Sequence, residues 1–119
     1  MYEITKRFTF SAAHHLDGLP PDHQCSRVHG HNYVVTLCLR SDTLNGPGFV
    51  VDYGDLSAFR DYINWYYDHR DLNCVVEGNP TAEYLASVFY EATAGDPWHA
   101  LVHSVTVSET DGTTATYWP

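Results

Sequence analysis

The run Cys25-Ser26-Arg27-Val28-His29-Gly30-His31 sets two histidines one residue apart, with a thiol four residues before the first. In an extended strand, residues two apart share a face, so the imidazoles of His29 and His31 can converge on one ion. Upstream, Phe8-Thr9-Phe10-Ser11-Ala12-Ala13-His14 reads as a second strand, on which His14 has the parity of Ile4, Phe8 and Phe10 and faces the same apolar side. Three neutral imidazoles with a fourth position open is the ligand pattern of catalytic zinc, whereas structural zinc is usually closed by four ligands rich in thiolate. Cys25 therefore has two readings: a reactive group beside the ion, or the fourth ligand of a closed site.

Three further positions carry chemistry. Asp68-His69 falls where an amphipathic helix should end, so the backbone dipole favours an imidazolium and the adjacent carboxylate can orient the ring, as in a general-base relay. The alternative is a helix cap beside a solvated carboxylate. Glu109 ends an apolar strand face, where a carboxylate needs a partner. Two coplanar N–H groups of a pterin or guanine ring would match its two oxygens, and so would a lysine or arginine at an exposed strand end. Thr81 and Glu83 have the form of a helix cap and a first-turn acid. His15 points away from the His14 face and is not counted as a ligand, and His23, His99 and His103 have no partners in the sequence.

These side chains need a scaffold. A chain of 119 residues with 44% hydrophobic and 14% aromatic content is one domain, residues 1–119, with enough apolar surface for a core. Its net charge of −9 argues against nucleic-acid binding and against a polybasic membrane anchor. An anionic substrate would need a local cluster drawn from Lys6, Arg7, Arg27 and Arg70, or the metal itself. Three irregularly spaced cysteines do not resemble a disulfide framework, so a reducing cytoplasm is expected, with Cys38 and Cys74 as packing residues. No signal-peptide pattern and no membrane-length apolar run is present, and the chain is expected to be soluble and unprocessed.

Alternation from Tyr2 to Phe10 predicts strand one, and Gly18, Pro20 and Pro21 mark a loop over residues 16–26. Strand two is expected over about His29 to Arg40, with the metal ligands at one end of an apolar face. Asp52 is a plausible cap for a helix carrying Leu56, Phe59, Ile63, Tyr66 and Tyr67 at helical spacing and ending near Asp68-His69. Asn79-Pro80-Thr81 predicts the start of a second helix, stopped by Gly95 and Pro97. A strand over Leu101 to Thr110, the turn Asp111-Gly112 and a returning strand over Thr113 to Trp118 complete the order ββααββ. The expectation is an α+β fold: a four-stranded antiparallel sheet with two helices on one face, and outer edges paired by homo-oligomerisation.

Six segments together carry a resemblance: Phe-Ser-Ala-Ala-His-His-Leu (10–16), His-Gln-Cys-Ser-Arg-Val-His-Gly-His (23–31), Gly-Phe-Val-Val-Asp-Tyr (48–53), Asp-His-Arg-Asp-Leu-Asn (68–73), Asn-Pro-Thr-Ala-Glu (79–83) and Ser-Glu-Thr (108–110). In this order the chain resembles the 6-pyruvoyl-tetrahydropterin synthase superfamily, and within it the bacterial 6-carboxy-5,6,7,8-tetrahydropterin synthases of queuosine and 7-deazapurine biosynthesis. The resemblance implies the tunnelling fold (T-fold), a homohexamer built as a dimer of trimers, and active sites between subunits. It implies zinc on His14, His29 and His31, Cys25 as general base, Asp68 and His69 as its relay, and Glu109 as the anchor of a pterin triphosphate, with Thr81 and Arg27 as further substrate-binding candidates. The implied substrate is 7,8-dihydroneopterin triphosphate. Only three residues separate Cys25 from His29, as in the carboxy-forming branch, whereas the pyruvoyl-forming branch sets its cysteine further away and a folate-pathway branch commonly has glutamate there. The chain departs from the commoner pattern at His15, often arginine in relatives, and is short between strand two and the first helix.

Overall fold

The computed structural model describes residues Met1–Pro119. Strand β1 (Tyr2–His14) is one continuous strand through both of the extended segments expected upstream of the loop, and it pairs antiparallel with β2 (His29–Ser41) along its whole length. A 3-10 turn (Gln24–Ser26) lies in the connecting loop. Helix α1 (Ser57–Tyr66) is preceded by a 3-10 turn (Tyr53–Leu56), which Asp52 caps by accepting from the Gly54 N–H at 2.9 Å. Helix α2 (Ala82–Ala92) is capped by Thr81, and β4 (Val102–Ser108) and β5 (Ala115–Tyr117) form the closing hairpin.

The sheet has five strands rather than four. A two-residue strand β3 (Arg70–Asp71) pairs parallel with Ala12 and Ala13 of β1, giving the order β3-β1-β2-β4-β5 and a mixed sheet. Two residues show no periodicity, so nothing in their pattern signals a strand. β3 matters for the site because it follows Asp68-His69 directly and ties them to the ligand end of β1.

Alternation buries Phe8, Phe10 and Ala12 of β1 with Tyr33, Val35, Leu37 and Leu39 of β2 on one face. Both helices cover that face through Phe59 and Ile63 of α1 and Leu85, Ala86 and Phe89 of α2. The opposite face carries Thr5, Arg7, Thr9 and Ser11. Tyr66, expected on the core face of α1, is half exposed, and Tyr67 beyond the helix end is buried instead. Cys38 is buried as expected, but Cys74 is exposed. No helix is long and apolar enough to cross a membrane.

Phe10 joins core to site. Its ring stacks on Tyr33 at 4.7 Å between centroids and meets Phe89 edge-on at 5.9 Å. Tyr33 in turn lies beside His14 and His31. Phe10→Ala is expected to destabilise the fold by about 3–5 kcal/mol, since the cavity adds to the lost transfer energy. Urea denaturation monitored by circular dichroism measures it.

Candidate metal centre and active site

The β1–β2 register sets His14 directly opposite His29, and His31 opposite Ala12. The three rings converge, with one ligating nitrogen from each lying within 4.8 Å of the others. His14 is fully buried, while His29 and His31 are partly exposed.

Hydrogen bonding decides which nitrogens face inward. His14 Nδ1 lies 2.7 Å from the Pro80 carbonyl and His29 Nδ1 lies 2.7 Å from the Arg27 carbonyl. A carbonyl only accepts, so both Nδ1 atoms donate and both Nε2 atoms carry lone pairs. Those two Nε2 atoms face one another at 3.0 Å, an arrangement that is repulsive without a cation between them. His31 Nε2 is buried with no hydrogen-bond partner, and the Glu109 carboxylate stands 3.7 Å away. Burial pushes the His31 imidazole pKa down, against the opposing pull of Glu109, which favours the neutral ligand form. A proton could join two of these nitrogens, whereas a metal ion satisfies all three. For His14 and His29 the outer ring nitrogen is held by a backbone carbonyl, which fixes the tautomer as in known histidine–metal sites.

A cavity of about 480 Å³ opens beside the cluster, lined by His14, His29, His31, Cys25, Arg27 and Glu109 among others. Cys25 sits in the 3-10 turn, where its N–H donates to His23 Nδ1 at 3.1 Å and its carbonyl accepts from the Leu16 N–H at 2.8 Å. Its thiol is partly exposed and is not among the ligand atoms that converge. The arrangement is thus three histidines with an open side and a thiol on the wall of the same cavity. Glu109 lies just past the end of β4, beyond the buried Val105 and Val107.

Asp68 and His69 are placed otherwise. His69, with Ser11, Ala12, Gly30, His31, Asn32 and Arg70, lines a second cavity of about 570 Å³ that adjoins the first at His31, and neither it nor Asp68 lines the cavity that holds Cys25. Asp68 Oδ1 accepts from the Ser11 N–H at 2.9 Å and Oδ2 lies 3.0 Å from His69 Nδ1. The Ser11 N–H, aided by the His69 ring, holds the Asp68 carboxyl below the usual carboxylate range. Helix α1 ends at Tyr66 with Tyr67 as its C-cap, so His69 is not a helix cap. Its backbone is left-handed at φ 58°, pinned by its own N–H donating to the Ser11 carbonyl, while its side chain is 83% exposed. A histidine held in that conformation costs about 1–2 kcal/mol, and an exposed ring offers no packing in return. His69→Gly is expected to keep or raise thermal stability by about 1 kcal/mol while removing the oriented imidazole from the protein's chemistry. Paired melting and activity measurements on the variant separate the two effects.

Thr81 spends its hydroxyl on the α2 cap, accepting from the Tyr84 N–H at 3.1 Å, and does not line the metal cavity. Lys6 and Arg7, considered for anion binding, line another cavity with Arg60. Arg27 is on the metal cavity and also supplies the carbonyl that orients His29. The Pro80 carbonyl and the buried Tyr33 hydroxyl, 3.2 Å from His14 Nδ1, were not readable as site groups, because backbone carbonyls carry no residue signature and Tyr33 follows the core alternation.

The model of the 6-pyruvoyl tetrahydropterin synthase family matches residues 3–119. The chain belongs to this family. The 6-carboxy-5,6,7,8-tetrahydropterin synthase of Synechocystis sp. is 34% identical, with 99% of this chain and 94% of that protein covered. The Bacillus subtilis protein of the same name is 32% identical over 76% of this chain, and the match spans 64% of the Bacillus protein's length. Among solved structures, 6-pyruvoyl tetrahydropterin synthase from Caenorhabditis elegans superposes with a TM-score of 0.88 at 27% identity, covering 99% of this chain and 95% of that one. The sheet and its helical layer are therefore the T-fold of the 6-pyruvoyl tetrahydropterin synthase family, and within it the three histidines are positioned so that they could hold a metal ion.

Proposed function

We propose that this protein is a zinc-dependent 6-carboxy-5,6,7,8-tetrahydropterin synthase, a lyase that converts 7,8-dihydroneopterin triphosphate and water into 6-carboxy-5,6,7,8-tetrahydropterin, acetaldehyde and triphosphate. The observation that carries the reading is the pair of Nε2 lone pairs held 3.0 Å apart beside a third orphaned imidazole, with a thiol on the same cavity wall. The names of the curated relatives and the three-residue gap between Cys25 and His29 favour the carboxy-forming branch.

Zinc held by His14, His29 and His31 would supply Lewis acidity toward the hydroxyls of the substrate side chain. Cys25, on the wall of the same cavity, is the base that takes a proton from the adjacent carbon. Glu109 receives the two coplanar N–H groups of the pterin and so fixes which carbon meets the thiol. Arg27 draws the anionic tail toward the cavity mouth, and Thr81 is a further candidate for substrate contact. Asp68 and His69, neither of which lines the cavity that holds Cys25, complete the relay across a subunit boundary in a homohexamer made of two trimers. The exposure of His69 and its orientation by Asp68 suit that role. A cytoplasmic place in queuosine or 7-deazapurine formation accompanies this assignment.

The test is product analysis. Zinc-loaded protein supplied with 7,8-dihydroneopterin triphosphate should release acetaldehyde and triphosphate in equal amounts. Release of triphosphate without acetaldehyde would reassign the protein to 6-pyruvoyl-tetrahydropterin synthesis, the activity named for the Caenorhabditis elegans structure. Pterin binding with no turnover would make it a non-catalytic pterin-binding module.

A further inference from the structure

The chain leaving β1 beside His14 is held by two side-chain amides. Asn73 accepts from the His15 N–H through Oδ1 at 2.9 Å and donates from Nδ2 to the His15 carbonyl at 3.0 Å. Asn79 does the same to Asp17, at 2.8 Å and 2.7 Å. Each carboxamide copies the donor–acceptor pair that a neighbouring strand would present to one residue. The β1–β2 ladder stops at the His14–His29 pair, so beyond the ligand these amides replace the strand.

Both clamps are anchored. Asn73 belongs to the 3-10 turn Leu72–Cys74, whose Leu72 is fully buried in the core. Asn79 immediately precedes Pro80, the residue whose carbonyl takes the His14 Nδ1 hydrogen, and Thr81 then caps α2. The Asp17 clamp and the orienting carbonyl therefore sit on adjacent residues of one loop and move together. Neither asparagine lines the metal cavity, so any effect of theirs on the ion passes through the backbone they grip, directly to His14 or through Leu16, whose N–H donates to the Cys25 carbonyl.

We propose that Asn73 and Asn79 are positioning residues of the metal centre: by gripping the backbone of His15 and Asp17 they hold His14 with Nδ1 on Pro80 and Nε2 turned to the other two histidines. This rests on reading His14, His29 and His31 as zinc ligands. The physical requirement is a group that donates and accepts from one plane. Asparagine does both, and an ionised aspartate only accepts, so it would leave the backbone carbonyl without its donor. Ligand orientation set from outside the coordination sphere typically governs metal affinity by about 10–100-fold.

The experiment measures zinc affinity of the full chain by competition with a chelating dye, alongside the visible spectrum of the cobalt-substituted protein. Asn79→Ala and Asn73→Ala should raise the zinc dissociation constant about 10–100-fold and alter the cobalt spectrum. Asn45→Ala removes a similar cap, on the Phe49 N–H of a separate turn, and should change neither. A lowered melting temperature of the metal-free variants with unchanged zinc affinity would make the amides merely structural and overturn the proposal. Should the alanine variants fail to fold, Asn79→Asp and Asn73→Asp take their place with the same expectations. A second measurement needs no variant: zinc should slow hydrogen exchange at the His15 and Asp17 amides, which donate to the clamps, more than at Phe49, because coupling between sites is reciprocal. Equal slowing at all three overturns the proposal. Failure of the wild-type protein to bind zinc would overturn the metal reading itself and this proposal with it.

Discussion

Cys25→Ala is expected to lower turnover about 10²–10⁴-fold, the range general acid–base catalysis contributes, while the variant keeps its zinc and still binds the pterin. The expectation follows from placement. The thiol shares the cavity wall with the three imidazoles but is not in the group of converging nitrogens, so under the proposed function its removal takes away a base and not a coordinate bond. A closed structural site would behave in the opposite way, because losing one of four ligands weakens the metal first. Metal content by inductively coupled plasma spectrometry and single-turnover kinetics on the same sample separate the two. Zinc lost together with activity would return Cys25 to the role of fourth ligand.

His29→Ala is expected to abolish zinc retention during dialysis and to cut activity about 10³-fold or more, since a Lewis acid supplies several kcal/mol of transition-state stabilisation. His29 is the sharper choice than His14, whose buried side chain also packs against Tyr33 and would confound metal loss with misfolding. Chelation of the wild-type protein should give the same loss, restored by added zinc. The metal-free protein also has a predicted pH dependence. Burial lowers the His31 pKa in the folded state, so as pH falls the unfolded chain takes up a proton there first. The His31 contribution to stability is thus present above the ordinary imidazole range and is lost as pH falls through it. Denaturation curves of the metal-free wild type and His31→Gln between pH 8 and pH 5, a span of about three pH units around the imidazole pKa, measure the difference. The variant should show a flatter dependence over that span.

Much of the site was legible because its information is local. A His-x-His on a strand puts two rings on one face whatever the rest of the fold does, and the parity of His14 with Phe8 and Phe10 places it on the buried side of its own strand. The start of α2 was legible for the same reason, since Thr81 caps its neighbour three residues on, whereas Asp52 caps the 3-10 turn ahead of α1 and not the helix itself. Other features were hidden. β3 is too short to show a period, and Glu109 lies beyond the strand whose alternation announced it. The left-handed backbone of His69 is held by Ser11, far away in sequence, so that His69 is not a helix cap could not be read until its φ and its partners were known.

By itself the sequence determined which three histidines share an end of the sheet, the two faces of that sheet and the family, because strand parity, apolar alternation and motif order are properties of neighbouring residues. Only the tertiary structure decided that His14 lies opposite His29, that carbonyls of Arg27 and Pro80 turn both Nε2 lone pairs inward, and that Cys25 shares a cavity wall with the three imidazoles. It also put His69 on a cavity other than the one that Cys25 lines. The physical reason is that register and tautomer are set by hydrogen bonds across the fold. His14 and Pro80 are 66 residues apart, and no local pattern records which carbonyl a buried imidazole will meet.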